Sequence, residues 1–299
     1  AIILNTRPRR SARLYQNVWT AEGSPLLVNL QRQSVALQTQ LQERTGVAVP
    51  VAIGMRYGAP TIREAMRQLD QAGVRRLLIF PLYPQYSATT TATAMDGVFA
   101  ELQGWRWQPE LRTIMHYHDH PGYIAALVNS VQEYWQAHGK AERLLFSFHG
   151  IPKRYFQQGD PYFCECQKTA RLLATGLGLA EGDYGVSFQS RFGPEEWLKP
   201  YTDKTLEEWG HHGVRSVQVL APGFSGDCLE TIDELGREGK ETFLEAGGQS
   251  FAYIPALNDR PDHMATLTDI ALQHLQGWEL TQALDAQPHY QAFQDRHHA

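Results

Sequence analysis

The sequence predicts an α/β fold of two similar doubly wound, Rossmann-like lobes with parallel sheets and a cleft between them. Three observations predict it. First, short runs of Val, Ile, Leu and Phe alternate with longer stretches of 3.6-residue periodicity along the 299 residues. Such alternation implies parallel strands covered by helices on both faces. Second, the chain repeats itself in order and at nearly constant spacing. Ser24-Pro25-Leu26-Leu27 resembles Asp160-Pro161-Tyr162-Phe163, Arg56-Tyr57-Gly58-Ala59-Pro60 resembles Arg191-Phe192-Gly193-Pro194, and Gly73-Val74-Arg75 returns as Gly213-Val214-Arg215. Third, two strand ends carry chemistry, His149-Gly150 after one apolar run and Gly223-Phe224-Ser225-Gly226 after another. Ligands of open α/β sheets sit at such carboxyl ends.

The elements follow in order. Strands are predicted at Val49–Met55, Arg76–Leu82, Leu111–Tyr117, Arg143–His149, Tyr184–Ser190, Ser216–Ala221 and Ser250–Pro255. Helices are predicted at Pro25–Glu43, Thr61–Ala72, Thr89–Gln103, Tyr123–His138, Cys164–Leu177, Glu195–Trp209, Cys228–Ala246 and Pro261–Trp278. The lobes divide at 1–121 and 122–299, with the last helix packing back toward the first lobe. The strand ending at His149 has only Ile2-Ile3-Leu4 as a counterpart and no initiator Met precedes it, so the chain is expected to start inside its first lobe.

Composition excludes several classes. Hydrophobic residues at 42% and charged residues at 20% are those of an ordinary globule. A net charge of -5 and no Lys/Arg-rich run give nucleic acid no handle. No apolar stretch approaches the roughly 18 residues of a membrane span, and the apolar part of Ala1–Arg7 is too short for a secretory signal. Cys164, Cys166 and Cys228 cannot pair fully, which points to a reducing compartment, the cytoplasm. Neither a G-x-x-x-x-G-K-[ST] loop nor a strand-anchored G-x-G-x-x-G occurs, against nucleotide chemistry.

His149 is read either as a ligand or general base, since imidazole titrates near neutrality, or as a hydrogen-bonded strand cap. Asp227, Glu230, Glu234 and Glu238 share one face of a helix, with Leu229, Ile232 and Leu235 packing off it. A solvated acidic face is the ordinary reading. With His149 opposite, carboxylate and imidazole together suit a divalent first-row metal. In the loop Tyr83-Pro84-Gln85-Tyr86-Ser87, the rings offer walls for a flat ligand, while Ser87 and Thr89 read as helix caps. Arg56 and Tyr57 place a cation and a ring at a strand exit, and Arg191 does so in the second lobe, for carboxylates or for structural ion pairs. Cys164-x-Cys166 is too small for a zinc or iron-sulfur site. His116-Tyr117-His118-Asp119-His120 looks like a metal cluster but reads as surface or turn before Pro121, and His211-His212 and His297-His298 read as solvated.

Taken together, Tyr83-Pro-Gln-Tyr-Ser, Phe146-Ser-Phe-His149, Gly159-Asp-Pro-Tyr162, Gln189-Ser-Arg-Phe-Gly-Pro194, Trp197-Leu-x-Pro200 and Asp227-Cys-Leu-Glu230-Thr resemble the ferrochelatase family over residues 2–276. Leu4-Asn-Thr-Arg-Pro8 and Gly23-Ser-Pro-Leu-Leu27 resemble its proteobacterial branch. The resemblance implies a two-lobed chelatase-like lyase inserting ferrous iron into protoporphyrin IX to make protohaem, with Fe²⁺ and the porphyrin as substrates. It implies His149 and Glu230 as the catalytic, iron-site pair, and Asp227 and Glu234 as an acidic path. It places Arg56, Tyr57, Tyr83, Gln85, Tyr86 and Ser87 by the macrocycle and its propionates. No cofactor is expected to be bound permanently. No cysteine-rich stretch follows Trp278, so the iron-sulfur cluster of some relatives is not expected.

This chain departs from the family pattern in two respects. The family's usual N-terminal stretch, with a first strand and a lip of the cleft, is absent from this sequence, which would weaken porphyrin binding. Cys228 stands where many relatives have His, and a thiolate there would favour zinc, whereas a packed thiol would not. Alternative readings are a chelatase for another divalent metal and tetrapyrrole, or a non-enzymatic two-lobed protein that binds haem or a metal. Weak peripheral membrane contact and oligomeric state stay open.

Overall fold

A computed structural model describes residues 18–280 of the chain. The motifs at 2–8 and the histidines at 297–298 lie outside the described residues. The chain forms two compact units, each built from three segments. The larger takes residues 18–32, Leu82–Thr91 and His116–His263. The smaller takes Gln33–Pro81, Ala92–Met115 and residues 264–280. The sequence boundary after residue 121 falls inside the segment that begins at His116. That segment joins the larger unit early because the Tyr117 N–H donates to the Pro84 carbonyl at 2.9 Å and the Thr169 hydroxyl donates to the His118 carbonyl at 2.8 Å.

The smaller unit holds α1 (Pro25–Thr45) from its third turn onward, α2 (Ile62–Gln71), β1 (Arg76–Ile79), α3 (Thr93–Leu102) and β2 (Glu110–Thr113). β1 and β2 pair in parallel, Arg76 opposite Glu110 through Ile79 opposite Thr113. α2 starts where it does because Thr61 and Glu64 form a capping box, each side chain accepting the other's backbone N–H. Met66, Leu77, Val98 and Leu102 make one core of this unit. Leu41 of α1 packs with Ala271 and Leu275 of the last helix in another. Val49–Met55, predicted as a strand, joins no ladder among the described residues, and only Met55 makes a single bridge, to Thr61. An apolar run becomes a strand only where a neighbouring backbone answers its N–H and C=O groups.

The larger unit carries, in chain order, α4 (Pro121–His138), β3 (Arg143–His149), α5 (Lys153–Gln157), α6 (Tyr162–Gly176), β4 (Tyr184–Gln189), α7 (Thr202–His211), β5 (Ser216–Leu220), a π-helical segment Glu230–Gly239 running into α8 (Lys240–Glu245), and β6 (Ser250–Ile254). The helix α9 (Pro261–Leu275) starts in this unit and continues into the smaller one. Its sheet is wholly parallel, ordered β4-β3-β5-β6. β3 is central and buried from Leu144 to Phe148, as parallel strands covered on both faces must be. Leu145, Leu206, Val217, Val219, Leu235 and Phe243 fill the core beneath it.

The order matters for function. From β3 the chain moves outward to β4, then crosses back to β5 on the other side. The switch point therefore lies between the carboxyl ends of β3 and β5, where ligands of doubly wound sheets bind. One helix is shorter than predicted. Residues from Glu195 to Pro200 do not extend α7, because they bond elsewhere. The Lys153 N–H donates to the Glu196 carbonyl, the Leu198 N–H to the Ile151 carbonyl, and the Phe188 N–H to the Pro200 carbonyl. No described helix is long and apolar enough to cross a membrane.

Candidate active site

His149 is the last residue of β3. Its Nδ1 lies 2.7 Å from the Gly150 carbonyl oxygen. A carbonyl can only accept, so Nδ1 carries the proton and Nε2 of the neutral ring keeps its lone pair. The Gly150 N–H donates to the Gln189 carbonyl at 2.8 Å. A Cβ on residue 150 would lie 2.7 Å from that oxygen, so only glycine permits this junction. Behind the ring, the buried Tyr162 hydroxyl donates to the His149 carbonyl at 2.9 Å, and Phe224 lies with its centroid 6.4 Å away.

The register of β3 and β4 sets His149 beside Gln189. Gln189 is buried, and its amide is oriented by two partners: Ser147 Oγ donates to Oε1 at 2.8 Å, and Nε2 donates to the Glu230 carbonyl at 3.1 Å. Glu230 opens the π-helical segment after β5. His149 and Glu230 are thus both tied to one residue, the last of β4.

The acidic stripe is modified by the winding of this segment. A π-helix closes i→i+5 bonds, and its wider turn keeps Glu230, Glu234 and Glu238 following one another at four-residue steps. Burial chiefly, then the charges of Glu230, Glu238 and Asp233, push the Glu234 carboxyl above its usual range, against a hydrogen bond from the Ser190 hydroxyl. Ser190 holds the left-handed backbone, φ 64°, at the β4 exit. Asp227 lies in the loop before the helix, off the stripe. Its Oδ1 accepts from the hydroxyls of Thr231 (2.9 Å) and Tyr253 (2.8 Å) and the Ala256 N–H (3.3 Å). Its Oδ2 accepts from Asn258 Nδ2 at 2.8 Å. Ile232, expected in the core, is exposed, whereas Leu235 is buried.

Cys228 is buried, and burial first, then the charge of Glu230, keeps its thiol well above the usual range. It is a packed thiol rather than a soft thiolate ligand at neutral pH.

The loop Tyr83–Ser87 belongs to the same unit. Gln85 is buried and donates to Thr169 Oγ1 (3.0 Å) and the Pro222 carbonyl (3.1 Å). Ser87 is buried, donates to Asp160 Oδ2 at 2.9 Å and accepts the Thr89 N–H, as a cap does. The polar atoms of these two residues thus hold the loop, while Tyr83 is exposed and Tyr86 partly so. In the smaller unit, Arg56 stacks over Tyr57 at 4.9 Å, both exposed. Arg191 is in the structural ion pair, 2.9 Å from Asp203, with its guanidinium over Tyr201.

The run His116–His120 is not simply surface or turn. His118 is buried, and His116 and His118 both meet Glu165 of α6. Sequence reading missed Glu165. The signal present was the His-x-His spacing, which puts two rings on one side of an extended chain.

Parallel sheets covered by helices, with a topological switch point at their carboxyl ends, give this chain a chelatase-like α/β fold. Solved structures agree on the fold. The chain matches SirB from Bacillus subtilis with Fe³⁺ at a TM-score of 0.59 and 12% identity, covering 84% of this chain and 94% of that one. It matches the sirohydrochlorin chelatase SirB from Bacillus subtilis subspecies spizizenii, in complex with cobalt, at 0.54 and 11%, covering 83% and 90%. Sequence is more specific. The family model described as Ferrochelatase matches residues 1–275. The chain is 53% identical over 277 residues to a ferrochelatase of Nitrosococcus oceani, covering 93% of this chain and 75% of that protein. It is 52% identical over 291 residues to one of Thioalkalivibrio sulfidiphilus, covering 97% and 78%. The chain belongs to the ferrochelatase family.

Proposed function

We propose that this chain inserts ferrous iron into protoporphyrin IX, forming protohaem in the cytoplasm, with His149 and Glu230 at the point of insertion. The observation that carries the site is the His149 tautomer, since Nδ1–H is engaged by the Gly150 carbonyl and Nε2 is left to accept a proton or meet the metal. Insertion replaces two pyrrole protons by Fe²⁺, so the site must accept protons and strip water from the ion. His149 Nε2 takes one proton or is the first ligand to the incoming iron. Glu230 is the carboxylate ligand or passes the proton on. Glu234, already inclined to hold a proton by its burial, continues the path outward from Glu230. Asp227 serves as the anchor of this helix entry. Tyr83 and Tyr86 wall the macrocycle, and Gln85 and Ser87 hold their loop in place.

The test is anaerobic mixing of the chain with Fe²⁺ and protoporphyrin, following the Soret band. His149→Ala is expected to bind porphyrin and lose insertion. Glu230→Gln is expected to lose insertion by orders of magnitude with porphyrin affinity nearly kept. Unchanged turnover in His149→Ala, or equal loss of binding and insertion in Glu230→Gln, refutes the assignment.

A further inference from the structure

Away from His149 and Glu230, the larger unit brings three metal-ligating side chains together. The extended segment after β2 carries His116 and His118 on one side, while the intervening Tyr117 packs edge-on to Tyr123 with centroids 5.2 Å apart. Glu165, in the first turn of α6, meets both rings. His116 Nδ1 lies 2.6 Å from Oε1, and His118 Nδ1 lies 3.3 Å from Oε2. One donor atom from each of the three residues falls within 4.8 Å of the others.

Two features separate this cluster from an ordinary ion pair. His118 is 5% exposed, yet its Nδ1 makes no hydrogen bond with the carboxylate beside it. A buried polar atom without a partner is costly and rare. The scaffold is also fixed from behind: the Tyr86 N–H donates to Glu165 Oε2 at 2.7 Å, and the Thr169 hydroxyl donates to the His118 carbonyl. No partner holds a proton on His118 Nδ1, and with the proton on Nε2, which lies 4.0 Å from Asp119 Oδ2, the Nδ1 lone pair is open to a ligand.

We propose that His116, His118 and Glu165 form a second divalent-metal site that takes a first-row ion such as Zn²⁺ or Fe²⁺. Two imidazole nitrogens and one carboxylate suit such ions and leave a fourth position to water. The ion takes the place of the proton that His116 Nδ1 shares with Glu165, and through solvent that proton moves to His116 Nε2, so the ring stays neutral. His116, half-exposed, is the entry. Because Glu165 also holds the Tyr86 backbone, an ion here braces the Tyr83–Ser87 loop against α6.

Equilibrium dialysis with Zn²⁺ tests this on the full chain carrying His149→Ala and Glu230→Gln. That chain is expected to bind one zinc and to melt at higher temperature when zinc is present. Adding His116→Ala, a change at an exposed position, is expected to weaken binding by at least about tenfold, whereas adding His120→Ala leaves it unchanged. In the chain with His149 and Glu230 intact, His116→Ala alone removes one zinc from the count and leaves iron insertion running. A doubly substituted chain that binds no zinc, or whose zinc binding ignores His116→Ala, overturns the site. If the intact chain counts one zinc and His116→Ala none, this site stands while the metal role of His149 and Glu230 falls.

Discussion

Replacing Asp227 separates two roles for a buried carboxylate at this site. Four donors converge on it: the Thr231 and Tyr253 hydroxyls, the Ala256 N–H and Asn258 Nδ2. Asp227→Ala strands them unequally. Thr231 still reaches the Cys228 carbonyl at 3.2 Å. The Tyr253 hydroxyl and the buried Ala256 N–H lose their acceptor. A hydrogen bond to a charged group contributes about 1.5–3 kcal/mol, so two stranded donors cost about 3–6 kcal/mol. For a chain of this size that lowers the melting temperature by roughly 10 °C, measurable by circular dichroism and by the urea midpoint. Asp227→Asn keeps the Oδ1 acceptor and loses only the bond from Asn258, a cost of about 1–2 kcal/mol. If Asp227 is an anchor, insertion follows stability, falling strongly in the alanine variant and little in the asparagine variant. An alanine variant within about 1 kcal/mol of the parent would refute the anchor. So would an asparagine variant that is stable but inactive, which would place Asp227 in the proton or metal path.

Two further outcomes follow from the same region. His263 is fully buried and its imidazole is pulled down to about 4, burial outweighing the bond that its Nδ1–H donates to the Asn258 carbonyl at 2.8 Å. Its folded-state value lies below the unfolded 6.5, so the stability it contributes is complete above pH 6.5 and is lost as pH falls toward 4. The loss is on the order of 3 kcal/mol, and His263→Gln should flatten the urea midpoint across that window. Gln189→Glu replaces the donor to the Glu230 carbonyl by an oxygen, setting acceptor against acceptor. Insertion should fall by about tenfold or more with a stability loss of about 1–2 kcal/mol, and steady-state rates beside porphyrin titration would show whether binding is spared.

The central sheet was legible because its signals are local. β3, β4, β5 and β6 were readable to within a residue, since buried parallel strands appear as short continuous apolar runs. The candidate pair was legible because His149 closes one such run and Glu230 follows another. What escaped depends on partners distant in sequence. Val49–Met55 has the composition of a strand but joins no ladder among the described residues, Met55 alone bridging to Thr61. Glu195–Pro200 has charges suited to a helix start, but its backbone bonds to Ile151, Lys153 and Phe188. Asp227 looked like the first tooth of an acidic stripe, and only the fold reveals the Tyr253 and Asn258 side chains that claim its oxygens. Glu165 sits 47 residues after His118 in the chain, beyond the reach of any spacing rule, so the third corner of the histidine cluster had no sequence signature.

The dependence of both proposed site residues, His149 and Glu230, on β4 has a chemical consequence. The Gln189 carbonyl receives the Gly150 N–H and so holds the residue whose own carbonyl sets the His149 tautomer. The Gln189 side chain, oriented by Ser147, holds the first residue of the Glu230 helix. Ser147 is itself held within a buried hydroxyl chain, 2.8 Å from Thr202, which is 2.9 Å from Ser187. A proton acceptor and a metal ligand that rested on separate mobile loops would drift independently, and errors near 1 Å cost rate steeply. Suspended from one strand end, they move together, and the gap between Nε2 and the helix becomes a property of the sheet rather than of two loops. Metal insertion needs that coupling more than proton transfer alone would, because removal of ring protons and dehydration of the ion must occur at the same centre. The glycine at 150 is therefore as much a part of the site as the imidazole before it.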